Sequence, residues 1–307
     1  MKSKSERGYL AEFFLACLGY FLFTAQDAIV KFMAEDYGVM QIIFVNAWFA
    51  FIPIILYTQT LHGWEKLKNA SFTVHFFRTL TMCVGLYFVF TGFYHLPMVT
   101  MYSIVFLIPL FITIGSVLFL GERVRWKRFT AIIAGFLGAI ISIDPFTAEV
   151  NEYVFIALLA PVLAAASYLI VRKYGEQESL FSFLIYGKIL MIIFTGVFVI
   201  FSFNQMSFYD LMLNAISGLC RGIAMIFVIN AARHLPGAIF GSILYSQIFA
   251  GVFFGYFIFG EIPTINNYIG NAIIISAGLY IVLREMKLKK NIVTSTARHP
   301  TIPIKKD

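Results

Sequence analysis

Charge is scarce in this chain. Only 13% of its 307 residues are Asp, Glu, Lys or Arg, against about 25% in soluble domains. The hydrophobic share is 60%, with 18% aromatic. A soluble fold of this length cannot hide that much apolar surface, because its exterior must be polar. In a bilayer the exterior is the apolar part, which accounts for the excess. Cysteine is nearly absent as well. Cys17, Cys83 and Cys220 each fall in an apolar stretch, and no pair has metal-site spacing. They read as reduced packing residues.

Chemistry motifs are lacking too. No Gly-rich phosphate loop appears, so nothing is expected to be driven by ATP bound to this chain. His-Glu-x-x-His, paired Asp-rich and Cys-x-x-Cys motifs are missing, and the five histidines lie at span ends or in the tail. The expectation is therefore no catalytic group, no metal and no cofactor, and no enzyme. The formal net charge of +7 invites an anionic partner, but the positive residues read as topology signals. No nucleic-acid partner is expected.

What is present is long apolar runs. A spanning helix needs about 20 such residues. Runs occur at roughly 10–33, 40–60, 73–94, 98–120 and 127–143, then at 153–172, 181–202, 211–232, 237–259 and 267–284. The first run is too long for a signal-peptide core and lacks a small-residue cleavage site, so it is expected to remain as a span. Basic residues orient the spans. One side carries Lys2, Lys4, Arg7, Lys66, Lys68, Arg123, Arg125, Lys127, Arg128, Arg172, Lys173, Arg233 and a basic tail. The opposite loops carry Glu35, Asp36, Asp144, Glu149, Glu152, Asp210 and Glu261, with no Lys or Arg. Both termini are thus expected to be cytoplasmic, in an inner (plasma) membrane protein.

The two halves align at one offset of 139 residues. His95-Leu96-Pro97 matches His234-Leu235-Pro236, Gly121-Glu122 matches Gly260-Glu261, and Ser103-Ile104 matches Ser242-Ile243. Five spans per half is an odd number, so the second half is inserted inverted. The expected fold is all-α, ten transmembrane helices as two inverted five-helix repeats. Its parts are a cytoplasmic segment 1–9, a first repeat 10–143, an outer linker 144–152, a second repeat 153–284 and a basic tail 285–307. Inverted halves of similar shape exchange between two open states with a site near midplane, which predicts a carrier.

A family resemblance rests on particular residues. Pro109-Leu110, Gly121-Glu122-Arg123, Trp126-Lys127-Arg128, Gly135 and Gly138 resemble the span-four-to-five signature of the drug/metabolite transporter superfamily, EamA type. The second copy has Gly260-Glu261, Gly270 and Gly278, but Ile248 where the first has Pro109. The resemblance implies ten helices around a central cavity, with the last helix of each half buttressing the bundle. His75-Phe76-Phe77-Arg78, Gln26-Asp27 with Lys31, and Trp126-Lys127-Arg128 look like the S-adenosylmethionine uptake carriers of that superfamily.

Polar groups inside spans need explaining, since Arg, Lys or Asp at mid-depth costs roughly 2.5–3.5 kcal/mol. Arg221 is deepest. It reads either as a group facing an anionic substrate or as a structural ion pair. Asp27 precedes Lys31 by one helical turn, which suggests a local ion pair, or else a partner for a cationic substrate group. Lys188 and Asn46 correspond between halves and read as a polar pair facing the cavity. Arg78 reads as an interfacial anchor. Tyr102 and Tyr245, with Gln247 and Gln26, are candidate walls for a cationic or heterocyclic ligand; Tyr168, Tyr186 and Asn230 are weaker ones. Gly121-Glu122 and Gly260-Glu261 read as left-handed helix ends whose Glu accepts from the start of the next helix. Gly218-x-x-x-Gly222 and Gly251-x-x-x-Gly255 either pack within the bundle or make a homodimer. Together these predict a secondary transporter of a small, amphoteric metabolite, S-adenosylmethionine or an amino acid. The alternatives are a membrane-embedded enzyme acting on lipid and a non-transporting scaffold.

Overall fold

A backbone in lipid must satisfy its own polar groups, so apolar runs of this length become helices. The computed structural model describes residues 2–61, 63–67, 71–121, 126–144, 152–174, 178–234 and 243–296, and among them every regular element is helical. The helices are α1 (Lys2–Met33), α2 (Val39–Thr60), α3 (Phe72–His95), α4 (Met98–Val105), α5 (Ile108–Leu120) and α6 (Trp126–Ile143). They continue as α7 (Tyr153–Ala157), α8 (Leu159–Tyr174), α9 (Leu180–Val199), α10 (Phe208–His234), α11 (Ser246–Phe259) and α12 (Ile265–Thr296). Among the described residues seven stretches are long and apolar enough to cross a bilayer, and two shorter apolar helices, Phe129–Ile143 and Ser246–Phe259, accompany them. Exposed Phe119, Phe201, Phe249 and Phe257 require lipid around the bundle. This is an all-α, multi-pass membrane protein.

The expected runs carry helices in the described residues, although 98–120 and 153–172 each hold two and 237–242 of the ninth run lie outside the described residues; two helices also overrun the expected ends. α1 begins at Lys2, inside the segment 1–9, and α12 continues to Thr296, through the basic stretch beginning near 285. That stretch is rich in Lys and free of proline until Pro300, so nothing stops the helix. Residues 145–151 of the linker, 297–307 of the tail, Glu122-Arg123, Leu235-Pro236 and Ser242 lie outside the described residues.

Two local features recur at the spacing found in sequence or one residue from it. α4 and α5 are separated at Phe106 and Leu107, ahead of Pro109, and α11 begins after turn residues Leu244 and Tyr245 although Ile248 replaces the proline. Short i to i−3 bonds mark both sites: Leu110 N–H to Leu107 O at 3.0 Å, and Ile248 N–H to Tyr245 O at 3.1 Å. The two breaks meet in space, with the Phe106 and Tyr245 rings 5.4 Å apart. Likewise α5 and α11 both end on left-handed glycines, Gly121 (φ 68°) and Gly260 (φ 66°), a conformation glycine alone adopts freely.

Small residues set the helix contacts. A Cβ on Gly222 would lie 2.3 Å from Pro53 Cγ, and one on Gly218 2.6 Å from the Asn46 carbonyl oxygen, so α10 lies directly on α2. Gly251 faces the Tyr102 ring and Gly255 faces Glu261. Both small-xxx-small stretches therefore pack within the chain. Gly138 and Gly270 bring α6 and α12 together. α1 packs against α10 and α11, and α3 against α8 and α9.

Side chains tie the connections together at both ends. Tyr37 donates to Asp210 at 2.7 Å and Gln41 to the Asn204 carbonyl at 2.6 Å, joining the acidic connections at one end. At the other end Glu178 accepts from Ser71 N–H at 2.6 Å. These are called the acidic and basic ends below.

Candidate functional site

The polar residues expected near midplane converge for the most part. Arg221, midway along the 27-residue α10, donates from Nη1 to Gln26 Oε1 at 3.2 Å. Its guanidinium also lies over the Phe90 ring, 5.5 Å from the centroid. Gln26 in turn donates to Asp27 Oδ1, and Tyr102 donates to Asp27 Oδ2 at 2.8 Å. Asp27 lies within electrostatic reach of Arg221. The result is a chain, Tyr102–Asp27–Gln26–Arg221, crossing from α4 through α1 to α10. A charged pair away from water needs such partners to be tolerable.

Backbone geometry makes room for it. The Tyr102 ring presses on Gly251, where a Cβ would lie 2.6 Å from Cδ2. Phe93 packs edge-on against the same ring at 5.2 Å. On α10, Asn214, Ser217 and Arg221 share a face by their spacing. Asn46 donates to Ser217 Oγ at 2.9 Å, and Asn214 donates to the Ile42 carbonyl at 3.3 Å. Asn46 thus sits one helical turn from Arg221, on the α2 side.

Lys188 comes from α9. It is 4% exposed and lies within electrostatic reach of Arg221 and Arg78. Arg78 does not snorkel to an interface as expected. It turns into the bundle, donating from Nη1 to the Phe183 carbonyl at 3.1 Å, with its guanidinium 5.0 Å from the Phe183 centroid. Gly187 opens that space, since a Cβ there would lie 3.0 Å from Arg78 Nη1. Tyr168 is 59% exposed, yet it is in reach of buried Arg78 and buried Tyr20.

Two candidates stand apart. Tyr245 is buried, its hydroxyl seated on Gly278 of α12 and its ring on Phe106. Gln247, in the first turn of α11, is buried without contact to the Asp27 group among the described residues. Of the weaker candidates, Tyr186 donates to the Leu67 carbonyl at 3.4 Å, and Asn230 accepts from Tyr57 at 2.9 Å, both toward the basic end.

Lys31 does not pair with Asp27. It meets Glu261 at 2.5 Å and the Leu96 carbonyl at 2.8 Å. Glu261 also accepts from Met98 N–H at 2.7 Å, so its partner is the start of α4 and not the following helix. A second pair escaped sequence reading. His75 Nε2 lies 3.0 Å from Glu178 Oε2, with both side chains buried. Because 103 residues separate them, no local spacing marks the pair.

Residues 10–143 match the EamA-like transporter family. Similar proteins extend over far more of the chain than that EamA-like stretch. The S-adenosylmethionine uptake transporter of Rickettsia felis is 27% identical over 89% of this chain and 95% of its own. The riboflavin transporter of Vibrio cholerae is 25% identical over 86% and 90%. The pseudopaline exporter of Pseudomonas aeruginosa is 21% identical over 86% and 93%. A crystal structure of 14% identity superposes at TM-score 0.65 over 91% of this chain and 98% of its own, a likeness of fold.

Proposed function

We propose that this protein is a secondary carrier that moves a small amphoteric metabolite, S-adenosylmethionine or an amino acid, across the inner membrane by alternating access. The observation that carries the reading is the Tyr102–Asp27–Gln26–Arg221 chain. It puts one acid and one base within reach of each other at mid-length of an apolar bundle, where isolated charges are costly. An amphoteric cargo offers a carboxylate to the arginine and a cationic group to the aspartate. Asn46 and Lys188 add polar groups beside it.

The ten-span, inverted-repeat reading is part of the proposal. It is supported by the two left-handed glycine ends, 139 residues apart, and by the two helix breaks, 138 apart. Such halves interconvert around a fixed site. Lys31 and Glu261 tie helices together at the acidic end; the charge rule places the basic end in the cytoplasm with both termini. The relatives' names supply the cargo panel.

The test is uptake into proteoliposomes of labelled S-adenosylmethionine, riboflavin and a set of amino acids, with and without preloaded cargo. Saturable uptake of one of them, abolished in folded Arg221→Ala and Asp27→Asn proteins, is the expected result. Saturable uptake that both variants retain would sink the assigned site.

A further inference from the structure

The cations near mid-bundle outnumber the acids, and the acid present is already held. Asp27 accepts from Tyr102 and from Gln26. Lys188 stands apart from it. It is the ninth residue of α9 and nine-tenths buried, and among the described residues no acceptor takes a hydrogen bond from its ammonium. Its charged neighbours are other cations, Arg221 and Arg78. Arg78 packs on Gly187, the residue next to Lys188, and its buried Nε has no acceptor. Burying an ammonium costs several kcal/mol unless an anion accompanies it, and two guanidinium neighbours raise that cost. Like charges held together in a low dielectric make a well for an anion. Guanidinium and ammonium donors at one place suit the several lone pairs of an oxyanion.

We propose that Lys188, Arg78 and Arg221 form an oxyanion subsite, which receives a carboxylate or phosphate group of the cargo on the basic-end side of Asp27. That it is a cargo group rests on the carrier reading; the subsite itself does not. The arrangement fixes polarity: the anionic group of the cargo points to α9 and the start of α3, and its cationic or donor group points to Asp27 and Tyr102. Arg78 is then a binding residue for the cargo.

The test measures local charge without transport. Lys188→Cys is made in the full chain with Cys17, Cys83 and Cys220 changed to Ser, and purified in detergent so that reagents enter from either end. Labelling rates are taken with anionic sulfonatoethyl and cationic trimethylammonioethyl methanethiosulfonates, each normalised to its rate with free glutathione. The expected result is a preference of about tenfold or more for the anionic reagent, corresponding to roughly 1.4 kcal/mol between the two reagents, or about half that per unit charge. Arg78→Gln and Arg221→Gln should each reduce it. Acetate and inorganic phosphate as competitors tell the two oxyanions apart, the one acting at lower concentration being the better occupant. Equal rates, a cationic preference, a preference untouched by both glutamine changes, or no labelling by either reagent would overturn the subsite. Arg221→Cys, read the same way, replaces Lys188→Cys if that protein does not fold. Selective labelling without any uptake would leave the subsite standing and remove the carrier reading. Uptake with unselective labelling would do the reverse.

Discussion

Lys31 and Glu261 meet at 2.5 Å across 230 residues of sequence. Each also holds backbone: Lys31 the Leu96 carbonyl, Glu261 the Met98 N–H. The pair therefore ties α1, the end of α11 and the α3–α4 connection at the acidic end. Removing either side chain leaves the other group and a backbone atom without a partner. Glu261→Ala and Lys31→Met should each lower stability by about 1–3 kcal/mol, and the double change should cost less than their sum. A reversed pair, Lys31→Glu with Glu261→Lys, should recover only part, because the carbonyl and the N–H keep their original polarity. Thermal unfolding in detergent checks this, and strict additivity would mean that the two side chains do not interact.

The misreading of Lys31 shows where sequence stops informing. Helices were legible because apolar runs and charged loops are local patterns, and the left-handed ends at Gly121 and Gly260 were legible because only glycine fits them. The Asp27–Lys31 spacing looked equally local, but Gly260 turns Glu261 toward Lys31, and only the folded chain brings that competitor close. Arg78 was misplaced for a similar reason: its pocket depends on Gly187, more than a hundred residues away. The polar midplane groups Arg221, Asp27, Gln26 and Tyr102 were singled out by their cost in lipid, a cost that does not depend on knowing the partner. Tyr245 passed the same filter but sits on Gly278, and depth alone could not separate it from Tyr102.

Gly222 separates packing from backbone freedom. A Cβ there would lie 2.3 Å from Pro53 Cγ and 2.5 Å from the Ala50 carbonyl oxygen, whereas one on Gly38 meets nothing within 4 Å. Pro53 and the carbonyl belong to α2 and cannot swing aside. Gly222→Ala should destabilise by about 1–3 kcal/mol through overpacking, while Gly38→Ala should change little. Equal melting temperatures for the two variants would mean that α10 does not lie on α2 as described.

Tyr102 offers a gentler probe of the site than charge removal. Its hydroxyl donates to Asp27 at 2.8 Å, and Tyr102→Phe keeps the ring against Phe93 and Gly251. A hydrogen bond to a charged group contributes roughly 1.5–3 kcal/mol, so uptake efficiency should fall about tenfold or more with the fold retained. Unchanged uptake kinetics in a folded Tyr102→Phe protein would place Asp27 outside the transport cycle.

The strongest stability prediction concerns Glu178. It accepts from Ser71 N–H at 2.6 Å and Ser182 Oγ at 3.2 Å, and its Oε2 lies 3.0 Å from His75 Nε2. One carboxylate thus fastens the start of α3 to the start of α9, with His75 packed between Phe183 and Tyr186. Glu178→Ala leaves a buried imidazole nitrogen and a backbone N–H unmatched, and should cost about 3 kcal/mol. Glu178→Gln keeps one acceptor and should cost less. Because both side chains are buried, raising the salt concentration should weaken the wild-type pair little, since screening acts mainly on exposed charges. Glu65→Ala, at an exposed position in the Gly63–Leu67 turn, provides the comparison, with no more than about 0.5 kcal/mol expected. If Glu178→Ala melts with Glu65→Ala, the buried pair does not hold these two helices together, and the cation-lined side of the site needs another anchor.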